Sequence, residues 1–113
     1  MKIVCVCAGG NVRSVGTARI LKYGFNQNAV AVAIEKNMPQ PFEMLADWAD
    51  VITVAEGHMT SAIPEKYHPK LRVVEVGPDV YGDPTNPKLE QMILRGMSAC
   101  GLTKEIEDSR HAS

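Results

Sequence analysis

The sequence predicts an α/β fold, a four-stranded parallel sheet with helices on both faces. Three observations carry this expectation. Four short apolar runs, at 2–6, 29–34, 51–55 and 71–76, are near-continuous rather than alternating, the pattern of strands buried on both faces. The stretches between them place apolar residues at helical spacing. The first run also ends in Cys7-Ala8-Gly9-Gly10-Asn11-Val12-Arg13-Ser14, where a strand turns through glycines into the start of a helix.

In chain order, Lys2-Ile3-Val4-Cys5-Val6 forms the first strand and residues 14–25 the first helix. Ala29-Val30-Ala31-Val32-Ala33-Ile34 is the second strand, followed by a turn at Pro39 and Pro41. Residues 42–49 read as a helix with Trp48 on its core face, and Val51-Ile52-Thr53-Val54-Ala55 as the third strand. A mixed segment holds a short helix over 58–62 before the fourth strand, Leu71-Arg72-Val73-Val74-Glu75-Val76. Residues 87–100 carry Leu89, Met92, Ile93, Met97 and Cys100 as one apolar stripe, and Gly101 marks the stop. Met44, Met92 and Met97 all fall at core spacing. Residues 103–113 are polar and charged and are expected to fray.

Composition narrows the function. A chain of 113 residues makes one domain, 1–113, large enough for a proper core. A net charge of −1 gives no electrostatic footprint for nucleic acid or for a membrane surface. The apolar stretch 3–8 is too short for a signal-peptide core, and no run approaches the roughly 20 residues of a membrane span. The three cysteines, Cys5, Cys7 and Cys100, are an odd number without zinc-like spacing. A reducing cytoplasm is the expected compartment. His58, His68 and His111 have no spacing that suggests a metal site or a catalytic pair, and surface or loop roles are expected for them.

The glycine loop carries the chemistry. A strand that turns through glycines into a helix points several backbone N–H groups at one spot, beside the positive end of the helix dipole. Gly9 and Gly10 permit close backbone approach to a tetrahedral oxyanion. Arg13, six residues after Cys7, offers two-pronged hydrogen bonding to phosphate oxygens, which a lysine does not reproduce. N–H donors, a helix N-terminus and a guanidinium favour the thiolate of a cysteine at the base of such a loop. Ser14 either caps a helix amide or donates to the Cys7 sulfur. The loop residues Ala8, Gly9, Gly10, Asn11, Val12, Arg13 and Ser14 are thus the expected phosphate-binding set, with Cys7 as nucleophile. No Gly-Lys-Ser/Thr follows the glycines, so this is not a Walker-type loop, nor does the spacing fit a dinucleotide fingerprint.

A thiolate that displaces an oxygen leaving group needs a general acid, and water attacking a phosphocysteine needs a base; one carboxyl group serves both in turn. Ligands of parallel α/β sheets bind beyond the carboxyl ends of the strands. There, the loop after the fourth strand, Gly77-Pro78-Asp79-Val80-Tyr81-Gly82-Asp83-Pro84, faces the Cys7 loop. Asp79 is the preferred acid, Asp83 the alternative, and Tyr81 an aromatic wall for a flat substrate.

These motifs resemble the low-molecular-weight protein tyrosine phosphatases. Cys7…Arg13-Ser14 matches that family's Cys-x5-Arg-Ser after the first strand, and Pro78-Asp79-Val80-Tyr81 is similar to its Asp-Pro-Tyr acid loop, with Val80 in place of proline. Leu45-Ala46-Asp47-Trp48-Ala49-Asp50-Val51-Ile52 resembles its helix-to-strand segment. The resemblance implies hydrolysis of phosphotyrosine or another aryl phosphate through a phosphocysteine. It assigns Cys7 as nucleophile, Arg13 as phosphate clamp, Ser14 as thiolate stabiliser and Asp79 as acid, and it implies neither a metal nor an organic cofactor. Departures are specific. Gly10 stands where the family has a bracing asparagine, which here is Asn11. Val12 replaces the second cysteine of many members, and the segment before Trp48 is shorter. Two other functions remain in view: an arsenate reductase, which needs a relay of cysteines, and a phosphate- or phosphoprotein-binding module without turnover. The expected partner is a phosphoprotein or small aryl phosphate; oligomeric state is left open.

Overall fold

The computed structural model describes residues 1–8, 12–33 and 39–111. Its elements are β1 (Lys2–Cys7), α1 (Val12–Arg19), β2 (Asn28–Ala33), α2 (Pro39–Trp48), β3 (Val51–Val54), β4 (Leu71–Val73), α3 (Pro87–Ala99) and α4 (Leu102–His111). The strands form one parallel sheet in the order β2-β1-β3-β4, as the sequence predicts. Residues 3–7 of β1 are all buried, because this strand has a neighbour on each edge and helices above and below. That is why its apolar run does not alternate. The end of the second expected strand, Ile34, lies outside the described residues.

The chain leaves β1 toward β2 in one direction and returns across β1 to β3 in the other. Right-handed crossovers then put the β1–β2 connection on one face and the β2–β3 and β3–β4 connections on the other. α1 and α3 pack together on one face. α2 and two 3₁₀ turns, Gly57–Ala62 and Glu65–Lys70, pack together on the other, where the Tyr67 hydroxyl donates to Asp47 at 2.8 Å and Lys70 Nζ to the Ala46 carbonyl at 2.8 Å.

Several boundaries differ from the sequence reading. α1 starts at Val12, so Arg13 and Ser14 belong to its first turn, and it passes into a π-helical turn at Ile20–Gly24. α2 begins at Pro39, and both prolines fit because the first helical turn has no intrahelical use for their missing N–H groups. Met44 is 74% exposed and not a core residue, whereas Ala46 of α2 and Ala49 just after it are buried. β4 is shorter than expected, although Val74 and Val76 still donate to Val54 and Ala55 carbonyls at 3.0 Å.

The stretch expected to fray is largely helix. Leu102 and Ile106, four residues apart, are fully buried, and Arg72 of β4 makes a two-pronged pair with Glu105 at 2.6 and 3.1 Å. Two apolar residues in a charged run give a weak periodic signal, yet they suffice to seat α4 against α3. Residues 112–113 lie outside the described set. α3 follows its prediction closely. Asn86 caps it through Lys88 N–H, Leu89, Ile93 and Met97 are fully buried, and Gly101 turns the chain at φ +85°.

Candidate active site

Cys7 is the last residue of β1, the strand at which the sheet order reverses direction, so its carboxyl end opens into the crevice where such sheets bind ligands. Ala8 is half-buried and Val12 begins α1. Gly9, Gly10 and Asn11, the centre of the expected oxyanion loop, lie outside the described residues. What the structure does place is the two ends of that loop. Cys7 Sγ lies 3.0 Å from Ser14 Oγ, and both residues are buried. The Ser14 hydroxyl therefore faces the sulfur, one of the two roles the sequence allowed it. To an ionised Cys7 it is the donor.

Arg13 is only 4% exposed. Its Nη1 donates to Glu56 Oε1 and, at 2.9 Å, to the carbonyl of Gly77. Its Nε is buried without a partner among the described residues. A buried guanidinium N–H left open is costly, and an oxyanion lying along that edge relieves the cost. Thr17 Oγ1 donates to the Arg13 carbonyl at 3.0 Å.

Glu56 was not foreseen from sequence. It follows β3, so the rule that sites gather beyond strand carboxyl ends was the available signal. The hydrogen bond from Arg13 holds its carboxyl below the usual glutamate range, with smaller contributions from His58, whose Nε2 is 2.8 Å from Glu56 Oε2. Glu75 ties the neighbouring turns together. Its Oε1 accepts from Gly57 N–H at 3.0 Å and its Oε2 from Gly77 N–H at 3.3 Å. Arg13, Glu56, Gly57, Glu75 and Gly77 thereby form a closed ring of contacts.

The loop rooted at Gly77 carries the expected acid. Gly77 and Gly82 take φ of +74° and +73°, a conformation that favours glycine. Asp79 and Val80 between them are exposed. Tyr81 is half-buried, and its hydroxyl donates to the Val76 carbonyl at 2.5 Å, so the ring braces its own loop. Asp83 Oδ1 accepts from both the amide and the hydroxyl of Thr85 at 2.7 Å, and these bonds pull its carboxyl below the usual aspartate range. A carboxyl so held is a turn cap that gives up a proton readily at low pH, and a poor acid near neutrality.

The other cysteines have different partners. Cys5 is fully buried, and Cys100 is the C-cap of α3, its Sγ 3.5 Å from the Met97 carbonyl. Among the described residues no cluster of His, Cys, Asp or Glu has the makings of a metal site, and no helix is long and apolar enough to cross a membrane.

No protein-family model and no curated protein matches the sequence. Solved structures do. A mutant of YwlE from Bacillus subtilis aligns with a TM-score of 0.63 at 17% identity, covering 95% of this chain and 99% of that one. A YwlE arginine phosphatase, a cysteine-to-serine mutant with phosphorylated active site serine, aligns with a TM-score of 0.63 at 18% identity over all of both chains. A low-molecular-weight protein tyrosine phosphatase from Bacillus subtilis, solved in solution, gives 0.64 at 16% identity, covering 93% of this chain and 99% of that one. At such identities the likeness shows the fold.

Proposed function

We propose that this chain, which has the fold of the low-molecular-weight protein tyrosine phosphatases, is a cysteine-dependent phosphatase acting on aryl phosphate monoesters such as phosphotyrosine. One observation carries the reading. Cys7 Sγ sits 3.0 Å from the Ser14 hydroxyl in the first turn of α1, beside a buried Arg13 whose Nε has no partner among the described residues.

In the proposed reaction the Cys7 thiolate attacks phosphorus as the phosphorus–oxygen bond to the leaving group breaks. Asp79 gives its proton to the departing oxygen. Arg13 holds equatorial oxygens through Nε and Nη2, and loop amides hold the rest. Water then attacks the phosphocysteine and loses a proton to the Asp79 carboxylate. The sulfur departs as thiolate, with the Ser14 hydroxyl donating to it. Phosphate is released, and the electron and proton count returns to its start without a metal.

A second substrate is favoured by one comparison, since a protein of similar fold is an arginine phosphatase. The same thiolate attack applied to phosphoarginine would break a phosphorus–nitrogen bond. An arsenate reductase is less well supported, because it needs a relay of further cysteines, while Cys5 is buried in the strand and Cys100 caps the far end of α3.

The test is stopped-flow hydrolysis of an aryl phosphate and, in parallel, of phosphoarginine, with the wild type and Cys7→Ser, without added metal. Turnover that vanishes in Cys7→Ser, preceded by a burst of released phenol, is the expected result. Phosphate binding without Cys7-dependent turnover of either substrate would make the protein a binding module.

A further inference from the structure

We propose that Glu56 is a positioning residue for the phosphate clamp: it fixes Arg13 by one nitrogen so that the opposite edge of the guanidinium is left for the oxyanion. The inference deepens the phosphatase reading and rests on it for its catalytic consequence. A guanidinium carries five N–H donors in a plane. Here Nη1 has both of its hydrogens engaged, one by Glu56 Oε1 and one by the Gly77 carbonyl. That leaves the edge formed by Nε and Nη2, and Nε is buried without a partner among the described residues. Two parallel donors on one edge are the arrangement that meets two oxygens of a phosphate.

A carboxylate beside an anion site works against the anion unless it has another task. Every charged group around Glu56 shows what that task is. From its own turn, His58 Nε2 holds its second oxygen at 2.8 Å. From the extension of β4, Glu75 holds the adjacent Gly57 N–H at 3.0 Å and so fixes the backbone from which Glu56 projects. From α1, Arg13 takes the remaining oxygen. Glu56 is thus held on both sides, and among the described residues the group it in turn restrains near Cys7 is Arg13. Glu75 also accepts from Gly77 N–H at 3.3 Å, which joins the second anchor of Arg13 to the same frame. The acid loop and the clamp are therefore set by one scaffold.

This separates two roles of opposite sign. A carboxylate acting only as a nearby negative charge weakens anion binding, and its removal tightens it. A carboxylate that positions the clamp strengthens anion binding, and its removal loosens it. Glu56→Gln keeps an oxygen acceptor for Nη1 without the charge; Glu56→Ala keeps neither.

The experiment measures the dissociation constant for inorganic phosphate by calorimetry in wild type, Glu56→Gln and Glu56→Ala, beside kcat and KM for an aryl phosphate and the thermal midpoint of each. Expected are phosphate binding about tenfold or more weaker in Glu56→Ala, a smaller loss in Glu56→Gln, and a parallel fall in kcat/KM, from the strength of charge-assisted hydrogen bonds. Unchanged or tighter phosphate binding in both variants, folded as the wild type is, would overturn the proposal. Should Glu56→Ala fail to fold, Glu56→Gln alone decides by the sign of its change. Wild type that binds phosphate in the expected order of variants but shows no Cys7-dependent turnover would sink the phosphatase reading and leave Glu56 as the organiser of an anion site. Wild type that binds no phosphate would overturn both.

Discussion

Cys5 and Cys7 share one face of β1, two residues apart, yet Cys5 meets Thr53 of the neighbouring strand while Cys7 meets Ser14 of α1 at 3.0 Å. The difference is one of place along the strand. Cys5 pairs in register with residues on both sides, Ala31 and Thr53, and is sealed in the sheet. Cys7 is the final residue of the strand, next to the loop that leads to Arg13. Burial pushes the Cys5 thiol up from 9.0 to about 12, against a lowering hydrogen bond with Thr53 and with a small further rise from Cys7.

Cys5 should therefore stay unreactive and make folding sensitive to alkali. Its folded value is raised, so the stability it contributes is complete below pH 9 and is lost as pH rises toward 12. The urea midpoint should fall between pH 7 and pH 10, and fall less in Cys5→Ala. Iodoacetamide at pH 7 followed by fragment sequencing of the peptide that holds both cysteines should find Cys5 unmodified. Labelling of Cys5 in folded protein at that pH would contradict the burial argument.

The sequence made this much legible because the relevant physics is local. Strand burial appears as unbroken apolar runs, and the Cys7, Arg13 and Ser14 set falls within one strand–loop–helix unit. Glu56 and Glu75 were not legible, since a carboxylate just past β3 meets Arg13, and another beyond β4 meets the turn at Gly57, only through tertiary structure. α4 failed for a different reason. Leu102 and Ile106 are a thin apolar signal among charged residues, and the partner that makes Glu105 structural, Arg72, is 33 residues away. Met44 shows the converse, a residue at core spacing on a helix whose buried side lies elsewhere.

Close packing of α3 on the end of β4 links stability to the site. A Cβ at Gly96 would lie 3.0 Å from Val74 Cγ1 and 3.1 Å from the backbone at Val74 and Glu75, atoms that cannot move aside cheaply. Gly96→Ala gains roughly 1 kcal/mol of helix propensity but meets an overpacking cost of about 1–3 kcal/mol. A net loss of up to roughly 2 kcal/mol by urea unfolding is expected. Because Glu75 anchors the turns that hold Arg13, phosphate affinity should fall as well. Gly24→Ala is the control: its nearest neighbour is Ile20 at 3.9 Å, and stability there should hold or rise.

In the proposed reaction Asp79 is the proton donor, while Asp83 caps a turn, so their substitutions should separate by leaving group. Asp83 is committed to Thr85 through two bonds of 2.7 Å, so Asp83→Asn loosens the loop and should slow an activated and a poor leaving group alike. Asp79 is exposed, two residues beyond the Gly77 carbonyl that anchors Arg13. A general acid matters most where the departing oxygen is basic. Asp79→Asn should therefore cut turnover of phenyl phosphate by about 10²–10³-fold, and that of p-nitrophenyl phosphate far less. Equal losses on the two esters would remove Asp79 from the proton-transfer step. A leaving-group dependence that followed Asp83 instead would mean the loop rearranges on binding, breaking the Thr85 bonds to free that carboxyl.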